Sequence, residues 1–381
     1  MGAALHSQPV WRMCMTKLLG GLLALCLLAA TLLVGPCLAA EYKIGVVTPT
    51  LSASEDEFRG AEMTAKAYPG MIKHITLPEN FSAEQETAIT QILSLADDPA
   101  MKAIVICAGY SGILPAIQKV KEKRPDMRFI TAPIWDDPDM MAKYVDLALD
   151  TDWLRRGETI PAKAQKMGAK TFIHYSFPTH MTKELLVKRR DAMKATCEKL
   201  GMTFVEVSTP DPQAGNGPAA MLQFLQEDIP RQITKYGKDT AIFGTNCPMQ
   251  DVIIAKALEL GFIMPEQCCP TPTQGYPAAM GLEIKPEDAG DFDKINAQIK
   301  ERAAKANVTG RLSTWPVPVG VFFPKFAVEA ARASIEGSMS LTDLAALSAL
   351  ARKVAGVEVS FSPMKDGINN YYLIIMDSII Y

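Results

Sequence analysis

From Lys43 onward the chain alternates two textures. Short runs, nearly all apolar and rich in β-branched residues, are separated by longer stretches in which apolar residues return every three or four positions. The first texture suits strands buried on both faces of a parallel sheet, and the second suits the amphipathic helices that cover it. Strands are predicted at Lys43 to Thr48, Ile72 to Leu77, Ala103 to Ala108 and Arg128 to Ala132, with helices near Glu55 to Ala67, Ala83 to Leu95 and Ile113 to Glu122. Val145 to Leu149 reads as a further strand or a crossing segment.

A second series begins after Asp150. Predicted helices at Asp152 to Met167, Met181 to Leu200, Gly217 to Tyr236 and Met249 to Leu260 lead to predicted strands at Lys170 to Ser176, Thr203 to Ser208, Thr240 to Gly244 and Glu266 to Pro270. The layout repeats without a sequence repeat. A polar helix from Asp291 to Lys305 then precedes Trp315-Pro316-Val317-Pro318, whose prolines suit a connector. Helices at Val321 to Ile335 and Leu341 to Lys353 and strands at Val357 to Ser362 and Tyr371 to Met376 follow. The order predicts an α/β protein of two Rossmann-like lobes with parallel sheets. Residues 41–150 form the N-terminal lobe, 151–315 the C-terminal lobe, and 316–381 a return segment that completes the first lobe and the hinge.

The N-terminus differs in kind. Arg12 and Lys17 precede an apolar core from Leu18 to Val34, and Cys37-Leu38-Ala39 offers small residues for cleavage. Residues 1–40 therefore read as a signal peptide, cut near Ala39 or Ala40, which places the protein in the periplasm or an equivalent extracytoplasmic space. The core exceeds the roughly 7 to 15 residues usual for a signal, so an uncleaved anchor is the alternative. A lipid anchor at Cys37 is disfavoured because Pro36 stands where a small residue is needed.

Of 39 basic residues two lie in that segment, which holds no acid, so removal leaves 37 against 42 acidic and a net charge of −5. An acidic surface of this kind does not suit a nucleic-acid partner. About 340 mature residues exceed one comfortable core and agree with two domains. Five cysteines remain after cleavage, an odd number too widely spread for a disulfide framework. Cys107 and Cys197 read as small buried hydrophobes. Adjacent Cys268 and Cys269 are candidates for a vicinal disulfide, or for pairing with Cys247. No CxxC or common zinc spacing occurs, and His174 and His180, six apart, match no metal pair, so no metal is expected.

In an open α/β sheet, ligands bind where loops leave the carboxyl ends of the strands. Thr50 and Ser52 follow the first predicted strand; a capped helix start accounts for Ser54, Glu55 and Glu57 but leaves these two over. Tyr110 and Ser111 follow the third strand, and Trp135 and Asp136 the fourth, giving ring faces beside polar groups. Packing between lobes is the other role open to Trp135, and helix capping the other role open to Asp136. In the second lobe Tyr175, Ser176 and His180 leave one strand, Asn246 another, and Gln274 and Tyr276 follow the last. The basic helix bearing Lys183, Lys188, Arg189, Arg190 and Lys194 reads as a solvated face.

Signatures of enzymes are missing: no G-x-G-x-x-G follows the first strand, and neither a P-loop nor a G-x-S-x-G elbow occurs. No catalytic residue and no cofactor is therefore expected. The strings SEDEFRGAE, LADDPAMKAIVI, AKTFIHYSFPTHM, YGKDTAIFGTN and CCPTPTQGYPAA resemble a bacterial family catalogued as a domain of unknown function, along essentially the whole mature chain. Its members look like type 1 periplasmic binding proteins and, more distantly, the basic-membrane-protein group of nucleoside receptors. The resemblance implies that fold and the role of a receptor; the expected protein is a monomer that closes two lobes on a small-molecule ligand and hands it to an ABC-type permease in the inner membrane. Aromatic walls with acids and hydroxyls suit a sugar, a nucleoside or a related heterocycle. A sensory protein serving a membrane signalling partner is the alternative, and a secreted enzyme on the same fold a third.

Overall fold

The computed structural model describes residues 2, 42–212, 217–285 and 288–381. The signal segment, its cut near Ala39 or Ala40, and Cys37 lie outside them. Residues 42–381 form one compact unit built on two main sheets.

The first sheet has seven strands. β1 (Lys43–Thr48), β2 (Ile72–Thr76), β3 (Met101–Ile106), β4 (Arg128–Thr131) and β5 (Leu147–Thr151) are joined by β10 (Val359–Pro363) and β11 (Tyr371–Met376) in the order β10-β11-β5-β4-β3-β1-β2. All neighbours run parallel except β10, which pairs antiparallel with β11. Alternate residues of each strand feed opposite cores, as a period of two requires. Val46, Val105, Ile130 and Leu149 meet Phe322, Phe323 and Phe326 on one face. Val47, Ile104, Ile106 and Phe129 meet Ile89, Ile92 and Ile117 on the other.

Helices α1 (Glu55–Ala67), α2 (Gln85–Ala96), α3 (Leu114–Lys123) and α4 (Pro138–Tyr144) connect these strands. α11 (Val319–Ile335) and α12 (Leu344–Ala355) come back from far along the chain to cover the Phe322 face. α1 and α11 cross so closely that a Cβ on Gly60 would stand 2.9 Å from the Val321 backbone, and one on Gly320 would stand 2.7 Å from Asp56.

The second sheet is smaller. β6 (Thr171–Ser176) lies between β7 (Thr203–Ser208) and β8 (Thr240–Gly244), all parallel. Single bridges, Ala241 to Ile263 and Met264 to Leu312, carry it outward. Its helices are α5 (Arg156–Lys166), α6 (Glu184–Lys199), α7 (Gly217–Tyr236), α8 (Met249–Leu260), the short α9 (Tyr276–Met280) and α10 (Phe292–Lys305). A last ribbon pairs β9 (Ser313–Thr314) with β12 (Ile379–Ile380).

Two predicted features change. Glu266 to Pro270 is not a strand, because side chains take the hydrogen bonds a ladder would supply. Arg156 donates to the carbonyls of Gln267 at 2.6 Å and Cys268 at 2.7 Å. The buried Gln267 amide donates to the carbonyls of Thr271 at 2.8 Å and Gln274 at 3.0 Å and accepts from Thr314 at 2.6 Å. The tail also goes further than the first lobe: after β11 it crosses once more and ends in β12 against β9.

The chain thus passes between the sheets three times, and one carboxylate ties the passes together. Glu266 accepts from Arg156 Nε at 2.8 Å, Trp315 Nε1 at 3.1 Å and Ser378 Oγ at 3.0 Å, each on a different pass. The Arg156 guanidinium, fully buried, lies near the rings of Trp153 and Trp315, 5.3 and 5.7 Å from their centres.

Candidate functional site

The carboxyl ends of β6 and β8 open into a cavity of about 370 Å³. Trp153, His180, Arg189, Thr245, Asn246 and the cysteines Cys247, Cys268 and Cys269 are among its walls. β8 ends on Gly244, where a Cβ would collide with Ile253 at 2.7 Å, so the chain turns tightly against α8 before presenting Thr245, Asn246 and Cys247. The opposite rim is the segment pinned by Arg156 and Gln267.

His180 stacks on Phe177 with ring centres 3.9 Å apart, and its Nδ1 shares a hydrogen bond of 3.0 Å with Thr245. Thr245 donates in turn to Ser176 at 3.2 Å. Burial, then the charges of Lys183 and Arg189, lower the His180 pKa, so the imidazole is neutral near pH 7. Arg189 is 5% exposed, with its guanidinium 5.5 Å from the centre of the Phe243 ring. Among the described residues no carboxylate pairs with it and no acceptor takes its hydrogen bonds. Burial, then repulsion from Arg156, pull its pKa down to about 10, still charged at neutral pH.

The three cysteines form a compact group. Cys247 Sγ lies 3.4 Å from Cys268 Sγ and 3.7 Å from Cys269 Sγ, and all three sulfurs fall within 4.8 Å of one another. All are free thiols, as are Cys107 and Cys197. Neither of the two candidate disulfides, Cys268–Cys269 or a bridge to Cys247, is present here, although both thiols approach Cys247. Their donation holds Cys247 below the ordinary thiol range.

At the strand ends of the first sheet, Thr50 and Ser52 both donate to one carboxylate, that of Glu79, with Ser52 at 2.8 Å. These bonds hold the exposed Glu79 below its usual pKa. Tyr110 stacks on Phe81 with ring centres 4.8 Å apart, and Ser111 donates to the Trp135 carbonyl at 2.8 Å. Trp135 is 64% exposed, the most open large hydrophobic side chain among the described residues. A second cavity of about 200 Å³ is bordered by Glu55, Asp56 and Arg59 of α1 on one side and by Thr273 and Ile284 on the other.

Of the residues expected to touch a ligand, Thr50, Ser52 and Trp135 are thus gathered at the first sheet, and His180 and Asn246 at the second. Others have different work. Asp136 accepts from the backbone N–H groups of Gly112 at 2.7 Å and of Ile113 and Leu114 at 3.0 Å, capping α3. Tyr175 is fully buried and donates to Asp228 at 2.8 Å; Tyr276 is fully buried and donates to the Ser313 carbonyl at 3.0 Å. Both tyrosines belong to one core: Tyr175 lies on β6, which is buried at every position, and Tyr276 opens the short α9 packed in the same cluster. Ser176 is buried behind Thr245, and Gln274 accepts from the Cys269 N–H at 3.4 Å.

Glu79, Trp153 and Arg189 enter from outside the expected set. Glu79 obeys the same strand-end rule, two residues beyond Leu77. Arg189 was readable from spacing, since it shares the buried stripe of α6 with Met193 and Cys197 at intervals of four. Its charge hid it among the exposed Lys183, Lys188 and Lys194 and the half-buried Arg190.

Two α/β lobes built on mainly parallel sheets define the type 1 periplasmic-binding-protein fold. A sugar ABC transporter protein from Actinomyces odontolyticus has this fold, superposing with a TM-score of 0.51 at 12% identity over 91% of this chain and 97% of that one. The chain belongs to the DUF3798 family, a protein family of unknown function, whose profile matches residues 42–313. A crystal structure from Clostridium difficile 630, described as a candidate transcriptional regulator, is 38% identical with a TM-score of 0.85, over 89% of this chain and 99% of that one. An uncharacterised protein of Treponema pallidum (strain Nichols) is 35% identical over 179 residues, 45% of this chain and 81% of the relative.

Proposed function

We propose that this protein is an extracytoplasmic solute-binding protein that captures a small polar ligand between its lobes and delivers it to an ABC-type permease, without doing chemistry on it. The observation that carries the reading is the cavity at the second sheet's strand ends, whose volume suits a small organic molecule. Trp135 and Trp153 offer ring faces; Thr50, Ser52, Glu79, Thr245 and Asn246 offer polar groups. That combination fits a sugar, a nucleoside or a related heterocycle. The apolar segment Leu18 to Val34 and the small residues before Ala40 support export, and among the described residues no helix is long and apolar enough to cross a membrane.

The description carried by the C. difficile relative favours a second reading, ligand-dependent regulation. Against a direct DNA role stand the acidic net charge and the export segment at the N-terminus.

The test uses protein recovered from the extracytoplasmic fraction, with native mass spectrometry of what co-purifies and thermal melting against sugars and nucleosides. A ligand at 100 times its Kd adds about 2.7 kcal/mol of stability. Trp135→Ala is expected to weaken binding at least tenfold while leaving the ligand-free melting temperature within a degree or so, because the ring is mostly solvated. No retained molecule and no stabilising compound, or recovery from the cytoplasm alone, would sink the reading.

A further inference from the structure

We propose that Cys247, Cys268 and Cys269 form a binding site for one thiophilic metal ion of the Zn(II) class, held by three thiolates with a fourth position open to the cavity. The first argument is distance. Zinc–sulfur bonds of about 2.3 Å in a tetrahedron place sulfurs about 3.8 Å apart. The pairs at 3.4 and 3.7 Å are within a few tenths of that spacing, and the third pair lies inside 4.8 Å. A disulfide instead needs sulfurs about 2.05 Å apart and would leave one of the three unpaired.

Charge supplies the second, independent argument. Three thiolates and a divalent ion sum to −1, and Arg189, a buried guanidinium with no carboxylate partner, lines the same cavity. A buried cation without a counter-charge is costly, and the loaded site would provide one. The amino end of α8, two residues beyond Cys247, adds favourable potential. The ligands are also held in place before any metal arrives. Arg156 fixes the Cys268 carbonyl, Gln274 accepts from the Cys269 N–H, and the Cys247 carbonyl accepts from the Gln250 N–H at 3.1 Å.

The pattern escapes spacing rules because the fold, not the local sequence, brings residue 247 to residues 268 and 269. Three protein ligands with an open fourth position are the arrangement of zinc sites that accept an exogenous group. The proposal stands whichever solute the protein carries, and its test uses no organic ligand.

The reduced, full-length protein is titrated with Zn(II) under anaerobic conditions, with Co(II) as a spectroscopic stand-in. One equivalent is expected to bind, to survive gel filtration, to give thiolate-to-cobalt charge-transfer absorption, and to protect these three thiols from alkylation as read by peptide mass spectrometry. Cys247→Ser, Cys268→Ser and Cys269→Ser are each expected to weaken binding at least 100-fold, and Arg189→Gln about tenfold. Cys197→Ala, in a separate core, is expected to leave it unchanged. Zinc binding that survives in the Cys247→Ser variant, or alkylation of the three wild-type thiols at equal rates with and without metal, would overturn the proposal. The alkylation readout needs no variant to fold.

Discussion

Asp56 and His174 carry opposite electrostatic loads. Burial, then the charges of Glu57 and Glu55, raise the Asp56 carboxyl to about 6; its stabilising share is present below 3.8 and is lost as pH rises through about 6. Burial, then Arg189 and Arg190, lower His174 to about 3; its share is present above 6.5 and is lost as pH falls toward 3. Asp150, raised by burial to about 6, runs with Asp56. The contributions oppose one another between about pH 4 and 6.5 and flatten the stability curve. Asp56→Asn is expected to stabilise the protein at pH 7 by on the order of 2–3 kcal/mol, at about 1.4 kcal/mol per pKa unit, and to change little at pH 4. Urea unfolding at both pH values measures this, and equal destabilisation at both would contradict it. None of this is visible in the sequence: Asp56 reads there as one acid of a helix's first turn, and its burial comes from the later return of α11 onto α1.

Among elements, those with a clear period are legible in the sequence, and those organised by distant side chains are not. β1, β4, β6 and β8 are short runs in which apolar residues dominate, and the ends of the last three locate Trp135, His180 and Asn246 without any structure. Glu266 to Pro270 carries apolar and small residues too, but its backbone is bound by Arg156 and Gln267, a fact no local pattern encodes. The tyrosines at 175 and 276 mislead for a related reason: both stand where a loop begins or ends, yet each ring packs into the second lobe's core and spends its hydroxyl on a buried partner. The Arg156–Glu266 pair is the test of this element. Glu266→Gln leaves a fully buried guanidinium without its charge partner and is expected to cost about 3–5 kcal/mol. Asp139→Asn, which breaks the half-exposed pair with Lys365, is expected to cost at most about 1 kcal/mol. Similar small losses in both variants on chemical denaturation would show that the buried pair does not anchor the segment.

For the whole molecule, lobe closure is the motion on which the receptor reading depends. One cavity opens at the strand ends of the second lobe, and the other lies where α1 of the first lobe faces Thr273 and Ile284. Distances between one label on the Trp135 loop and others on α6 or near Thr273 are expected to shorten together on ligand addition and to be unchanged by zinc alone. Unchanged distances at saturating ligand would remove closure from the account. The meeting of three chain passes at Glu266 has a mechanical consequence for such measurements. Two straps allow a joint to twist, whereas three straps sharing a single rivet leave it one stiff axis of swing. Label pairs placed at different heights along the lobes should therefore change in fixed proportion, so that one distance reads the whole stroke. Loosening the rivet by Ser378→Ala should break that proportionality before it unfolds anything.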